Sequence, residues 1–210
     1  LYRKREEALL KNNKNHPMFK FKAITVVAAI ALMSFTLPFA SSWKSDNVHS
    51  RFGFSVTHMS IATFNGSFKD YKITLTNPGA DFADATVELT AEVKSINTDN
   101  QMRDEHLQGA DFFDAAKFPQ LTFKSTSFKK TGAKTYKITG DLTLHGVTKK
   151  IELDAINVGN AVNPQSKKDM TGFKVTGVIK RSDFGIATGF PTAALADEVS
   201  LNGDFEFIKD

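Results

Sequence analysis

The sequence predicts an all-β fold, an eight-stranded antiparallel up-and-down barrel, and three observations carry that expectation. Eight segments alternate apolar and polar residues with a period of two. Most of them are joined by short, turn-like stretches. Gly53, Gly66, Gly140, Gly177 and Gly203 fall inside the alternating segments, where glycine weakens a strand unless a bend, a bulge or a close approach needs it. Closing the sheet on itself removes exposed edges. Eight strands leave an interior that holds packed side chains or one small ligand. A β-sandwich is the structural alternative, less suited to so many strand glycines.

The segments run in order along the chain. Phe52, Phe54, Val56 and His58 share one face of the first. Phe64, then Tyr71, Ile73 and Leu75 after a shift near Gly66, mark the second, and Ala85, Val87, Leu89, Ala91 and Val93 the third. Leu121 and Phe123 mark the fourth; Tyr136, Ile138, Leu142 and Leu144 the fifth; Val147, Ile151, Leu153 and Ala155 the sixth. Phe173, Val175 and Ile179 form a face of the seventh, and Val199, Leu201, Phe205 and Phe207 of the eighth. Turn residues stand at Asn77-Pro78-Gly79, Thr131-Gly132, His145-Gly146 and Asn160 to Lys168. Two connections are long. Ser182 to Asp197 is one. The other, from about Asp99 to Pro119, carries a short charged helix around Arg103-Asp104-Glu105-His106 and three phenylalanines, Phe112, Phe113 and Phe118. It sits between the third and fourth strands.

The beginning of the chain has a different character. Lys20 and Lys22 precede an apolar run from Ala23 to Met33, broken only by Thr25, and Ala40-Ser41-Ser42 supplies small residues. That order reads as a secretory signal peptide over 18–42, opened by Met18 and cut before Ser41 or Trp43. A membrane anchor is the alternative, but Thr25, Ser34, Thr36 and Pro38 interrupt an apolar stretch that needs about 20 residues to span. Residues 1–17 read as an upstream extension without a predicted fold, and residues 43–210 as a single domain.

Charge follows this division. The whole chain has 27 Lys+Arg and 23 Asp+Glu, but residues 1–42 hold seven of the basic and two of the acidic residues. From Trp43 onward 20 basic residues face 21 acidic ones, a net charge of −1. The basic isoelectric point therefore gives no support for a nucleic-acid partner. There is no cysteine, so neither disulfides nor thiolate chemistry are available. Fifteen of the 19 phenylalanines lie beyond residue 42. Phenylalanine has no polar handle, which suits a dry interior.

Four motifs stand in order along the domain beside the helical insert: Asp46-Asn47-Val48-His49-Ser50, Phe54-Ser55-Val56-Thr57-His58-Met59, Leu142-Thr143-Leu144-His145-Gly146-Val147-Thr148 and Lys180-Arg181-Ser182-Asp183-Phe184-Gly185. Together with Arg103 to Pro119 they resemble the YceI-like family of exported, lipocalin-like lipid-binding proteins, from Trp43 to the C-terminus. The resemblance implies a lipocalin-like barrel in the periplasm that sequesters one long apolar lipid, a polyisoprenoid such as a quinone tail or a prenyl lipid. The bound lipid would be the only ligand, with no other cofactor. The implied lining is Phe52, Phe54, Val56, His58, Phe64, Val87, Leu89, Phe112, Phe113, Phe123, Leu142, Leu144, Phe173, Val175 and Phe205. Seven of the inward positions, Phe54, Val56, Leu89, Phe123, Leu144, Val175 and Phe205, are expected to surround a single apolar space. Transient contact with a membrane or a membrane protein would serve lipid exchange, and a homodimer is compatible with this reading.

Other chemistries stay open at this point. His49, His58, His106 and His145 are scattered, without the clustered spacing of a metal site, and read as hydrogen-bonding residues at turns and strand ends. Arg103, Asp104 and Glu105 are read as fixing the helix through charge-assisted hydrogen bonds. An enzyme working on a lipid would instead use His58, Arg103 or His145 as acid–base groups, and no Ser-His-Asp or Cys-His order supports it. A solid barrel engaged in protein interaction is the third possibility, because alternation does not separate a filled barrel from a hollow one.

Overall fold

Neighbouring strands pair antiparallel all the way round, and the ring closes where the last strand meets the first. The computed structural model describes residues 40–79 and 81–210. The upstream extension and all but the last residues of the expected signal peptide lie outside the described residues. The strands are β1 (Ser41–Ser45), β2 (Arg51–His58), β3 (Ala62–Phe68), β4 (Tyr71–Asn77), β5 (Thr86–Glu92), β6 (Ile96–Asn97), β7 (Gln120–Lys130), β8 (Thr135–Leu144), β9 (Val147–Val162), β10 (Asp169–Lys180) and β11 (Leu195–Lys209). The helix α1 spans Gln101–Leu107 between β6 and β7.

Eleven segments make an eight-stranded barrel because three of its strands are broken. β1 and β2 follow each other along one edge of β11, with Ser45 opposite Phe207 and Arg51 opposite Asp204. β4 and β3 line up beside them in the same way, and β5 and β6 beside those. The bend between β1 and β2 is pinned to β11. The Asp46 amide donates to the Glu206 carbonyl, and the Ser50 hydroxyl accepts from the Glu206 amide. Two of the breaks lie at polar stretches, Asp46–Ser50 and Lys69-Asp70, and the third is the 3-10 turn Val93–Ser95 between β5 and β6.

β1 is the strand that periodicity does not reveal. Trp43 is its one large apolar residue and is buried. Ser41 and Ser42 pair with Asn77 and Thr76, so the expected boundary after Ser42 falls inside a strand. β9 is also longer than expected: Asn160, Ala161 and Val162 continue its ladder to β10 and do not belong to the turn.

Alternation sorts the two faces. On the outside, Lys124 lies opposite Glu88, Lys137 opposite Asp154 and Lys174 opposite Asp204, each pair within ion-pair distance across adjacent strands. Such exposed pairs contribute little to stability, but they make an outer face unlike the apolar band of a membrane-spanning barrel. The β8–β9 turn has positive φ at His145 (51°) and Gly146 (73°), the type I′ geometry that suits strand twist.

The strand glycines serve close approach more than bending. A Cβ on Gly66 would run into the ring of Phe54, and one on Gly140 into the ring of Phe123. At these two places an aromatic ring lies flat against the barrel wall, in the space a side chain would otherwise fill. The rings are thereby held out of the barrel's centre.

The two ends of the barrel differ. At the end carrying the β7–β8 and β9–β10 turns, Phe82 from the β4–β5 connection packs on Trp43 and Phe173, with centroid distances of 5.5 and 5.3 Å. Phe128, Tyr136 and Phe207 complete this aromatic floor, all buried. The Tyr136 hydroxyl donates to the Asp81 carbonyl at 2.7 Å. The opposite end carries the β2–β3 turn, α1 and the long 182–194 connection, and it is not filled.

Candidate functional site

Two apolar chambers lie along the barrel. The deep one, next to the floor, has about 90 Å³ and is lined by Phe52, Ile73, Val87, Leu89, Phe123, Leu142, Phe173, Val175, Leu201 and Phe205, among others. The upper one has about 520 Å³. Its walls are Phe54, Val56 and Phe64 from β2 and β3, Leu144 and Ile179 from β8 and β10, and Leu195 and Val199 from β11. Leu107, Phe112 and Phe113 close over it from the helical insert, and Ile186, Phe190 and Ala194 from the long connection. His58, Asn65, His106 and Phe190 line it and are exposed, so the chamber opens at that end.

All fifteen residues expected to line a cavity do so, divided between two spaces where one was expected. Phe54, Val56, His58, Phe64, Phe112, Phe113 and Leu144 face the upper chamber. Phe52, Val87, Leu89, Phe123, Leu142, Phe173, Val175 and Phe205 face the deep one. Buried Phe68 packs on Phe52, Phe54 and Phe113 with centroids 5.4, 5.9 and 6.0 Å away, and this aromatic cluster joins the two linings. Phe118 faces neither chamber. It packs on His145 at 4.8 Å, over the β8–β9 turn.

The insert is held by a hydrogen-bonded hub at Thr98. Asp104 accepts from both the Thr98 amide and its hydroxyl, at 2.8 and 2.6 Å. Arg103 Nε donates to the same hydroxyl at 2.8 Å, and its Nη2 to the Thr98 carbonyl at 2.6 Å. Asn100 caps α1 by accepting from the Arg103 amide. Arg103 and Asp104 thus fasten the helix, as expected, and Glu105 accepts from Gln101 on the same helix. Arg103 also faces the upper chamber, its guanidinium 4.7 Å from the centroid of Phe64.

Arg181 is the residue that sequence reasoning missed. It is buried, and its guanidinium donates to five backbone carbonyls, those of Ala196, Ile186, Ala187, Phe190 and Leu195, at 2.5–3.1 Å. A long connection with little regular structure leaves carbonyls that need donors, and Arg181 supplies them. The register of β11 against β2 shifts between Leu195 and Val199, the stretch that holds the Leu195 and Ala196 carbonyls. An arginine closing an apolar strand just before a long loop was the available signal.

The histidines do not converge. His145 Nδ1 is 3.0 Å from the Phe184 carbonyl, away from both chambers. His58 packs edge-on against Phe64 at the mouth. Among the described residues, one group could bring three metal-ligating atoms within 4.8 Å of one another: Asp46, His49 and Glu206. It lies outside the chambers, at the bend between β1 and β2. The hydrogen bond between His49 and Asp46 lowers the Asp46 pKa below the usual carboxylate value and raises that of His49. Sequence spacing hid the group because Glu206 arrives from the far end of the chain.

Comparison with known proteins agrees with this architecture. A YceI-like domain profile matches residues 43–207. Protein YceI of Escherichia coli O157:H7 is 40% identical over 168 residues, covering 77% of this chain and 84% of that protein. The crystal structure of a YCEI protein from Campylobacter jejuni superposes with a TM-score of 0.67 at 38% identity, covering 73% of this chain and 90% of the other. A polyisoprenoid binding domain from Saccharophagus degradans shares the fold at 14% identity, with a TM-score of 0.55 over 80% of this chain and 98% of that domain.

Proposed function

This chain belongs to the YceI-like family, and on that footing we propose that it is a carrier that encloses one long apolar lipid, a polyisoprenoid, with the upper chamber as its seat. The observation that carries this reading is the upper chamber itself: a space of about 520 Å³ with mainly aromatic and aliphatic walls, open at one end of the barrel. Small-molecule sites occupy about 300–1,000 Å³ and need few polar groups. Binding would come from burial, worth about 0.8 kcal/mol per CH₂ before ordering costs and nearer ~0.3 kcal/mol per heavy atom after them. The polyisoprenoid binding domain of S. degradans shares the fold and lends support to this ligand class. The aromatic floor leaves the helix-bearing end as the route for entry. Met59, Ile61, Met102 and Phe190 are exposed at that end, and brief contact with a membrane during exchange is part of the proposal.

The test is to extract the purified protein with organic solvent and identify what is released by mass spectrometry. One equivalent of a lipid with an isoprenoid tail is expected, and rebinding after its removal. A protein that repeatedly yields no lipid, and takes none up, would refute the carrier reading.

Export to the periplasm belongs to the same proposal. The pairing of Ser41 with Asn77 and of Ser42 with Thr76 favours cleavage before Ser41, which keeps β1 whole, over cleavage before Trp43. Intact-mass measurement of the exported protein is expected to begin at Ser41. A mass beginning at Trp43, or residues 18–42 retained in a membrane fraction, would count against it.

A further inference from the structure

The Asp46–Ser50 bend carries a polar cluster that neither chamber uses. Asp46 Oδ2 lies 2.9 Å from His49 Nδ1, and Glu206 Oε1 lies 3.9 Å from the same nitrogen. One ligating atom from each residue falls within 4.8 Å of the other two. Asp46 is the most enclosed of the three and His49 the most open, so the cluster is reached from the His49 side. The second Asp46 oxygen accepts from the Val48 amide. Among the described residues no donor bonds to the Glu206 carboxylate, and His49 is the cation nearest it.

Backbone bonds hold these side chains in place. The Asp46 amide donates to the Glu206 carbonyl, the Ser50 hydroxyl accepts from the Glu206 amide, and the His49 amide donates to the Asp46 carbonyl. The Asn47 side chain donates to the Tyr71 carbonyl, which ties the bend to β4 as well as to β11. Beside the bend stands an unmet hydrogen bond. Tyr71 is 6% exposed, and its hydroxyl has no partner among the described residues. Its polar neighbours belong to this bend: burial raises the Tyr71 pKa, the Ser50 hydroxyl opposes the rise and the Asp46 charge adds to it. A buried hydroxyl left alone is costly. Two carboxylates share one imidazole, so the cluster is short of positive charge in either state of His49.

We propose that Asp46, His49 and Glu206 bind one divalent transition-metal ion, with zinc the ion that the donor set fits, and that the ion clasps the β1–β2 bend to β11. One imidazole nitrogen and two carboxylate oxygens are ligands zinc takes in a four-coordinate set. Calcium and magnesium favour sets made of oxygen alone, with more ligands. On binding, His49 Nδ1 gives up the proton it shares with Asp46 and coordinates through its lone pair. The fourth position is left to water, a donor of the kind the Tyr71 hydroxyl lacks. The site stands apart from both chambers, so its failure and that of the carrier reading are separate results.

The experiment titrates Zn²⁺, and separately Ca²⁺, into the protein free of any affinity tag, by calorimetry, and follows thermal melting with and without each ion. One equivalent of Zn²⁺ is expected, bound at least about tenfold tighter than Ca²⁺, with a melting temperature that rises on addition. Glu206→Gln keeps the size of a side chain whose carboxylate takes no hydrogen bond. It should fold as the native protein does and lose about tenfold in zinc affinity, and His49→Gln should lose at least as much, because the imidazole is the ligand that favours zinc. Absence of zinc binding overturns the proposal. So does an equivalent of zinc held undiminished by both variants, which would place the ion elsewhere, on the exposed histidines of the mouth. Calcium bound as tightly as zinc overturns it too, since the carboxylates alone would then be the site.

Discussion

Replacing Arg181 with leucine is expected to lower stability by about 4 kcal/mol and to release the connection from Ser182 to Ala194. The estimate follows from the bonds removed. Five carbonyls lose this donor together, that of Ala187 keeping the Phe190 amide as a second one, and a buried polar group left without a partner costs ~1–3 kcal/mol. Those nearest solvent recover much of that from water, which holds the total at the lower end of the ~4–12 kcal/mol that four orphaned carbonyls would cost. Arg181→Lys should fall between the two proteins, since an ammonium has three donors and no fork. Ile186, Phe190, Ala194 and Leu195 belong to the upper chamber's wall, so lipid retention should fall together with order in the loop. Denaturant unfolding gives the first quantity, and hydrogen exchange of the 182–197 amides the second. A loss below about 1 kcal/mol, with exchange unchanged, would show that the loop holds itself together without this side chain.

Most of the fold was legible because a two-residue period survives wherever one face is dry and the other wet. Ala85 to Val93 and Tyr136 to Leu144 were read from alternation and are β5 and β8 with their flanks. β1 escaped because Ser41 and Ser42 look like the end of a leader, and one tryptophan makes no pattern. β3 and β4 were read as one segment with a shift near Gly66, whereas the chain breaks at Lys69-Asp70, and the bend at Asp46–Ser50 is decided by hydrogen bonds to Glu206, 156 residues away from Ser50. The lining residues were recoverable because inward-facing positions are what alternation reports. Alternation says nothing about how far opposite walls stand apart, so it placed Leu89 and Leu144 around one space. Leu89 lines the deep chamber and Leu144 the upper one, and Phe68 packs on residues of both linings. Arg103 was visible as a candidate charge on the helix, whereas Arg181 had no local signal beyond its place at a strand end. Its five partners are fixed by the path of a loop that the sequence does not describe.

The division into chambers makes tryptophan act in opposite ways at two inward positions. Val199 lines the upper chamber, where about 520 Å³ stands open. An indole there has room, so Val199→Trp is expected to melt close to the native protein while its lipid retention drops at least about tenfold, equivalent to ~1.4 kcal/mol. Leu89 lines the deep chamber, where about 90 Å³ is available among tightly packed neighbours. Leu89→Trp should therefore behave as overpacking does and cost ~1–3 kcal/mol. The same contrast extends to truncation. Phe123→Ala, in the packed half, should approach the ~3–5 kcal/mol typical of a phenylalanine removed from a core. Phe54→Ala enlarges a space already present and should cost less. Thermal melts paired with lipid quantification for all four variants read the pattern directly. A Val199→Trp protein that still retains one equivalent of lipid would place the ligand outside the upper chamber. A Leu89→Trp protein as stable as the native one would mean that the deep half of the barrel is hollow as well, with room for the far end of the chain.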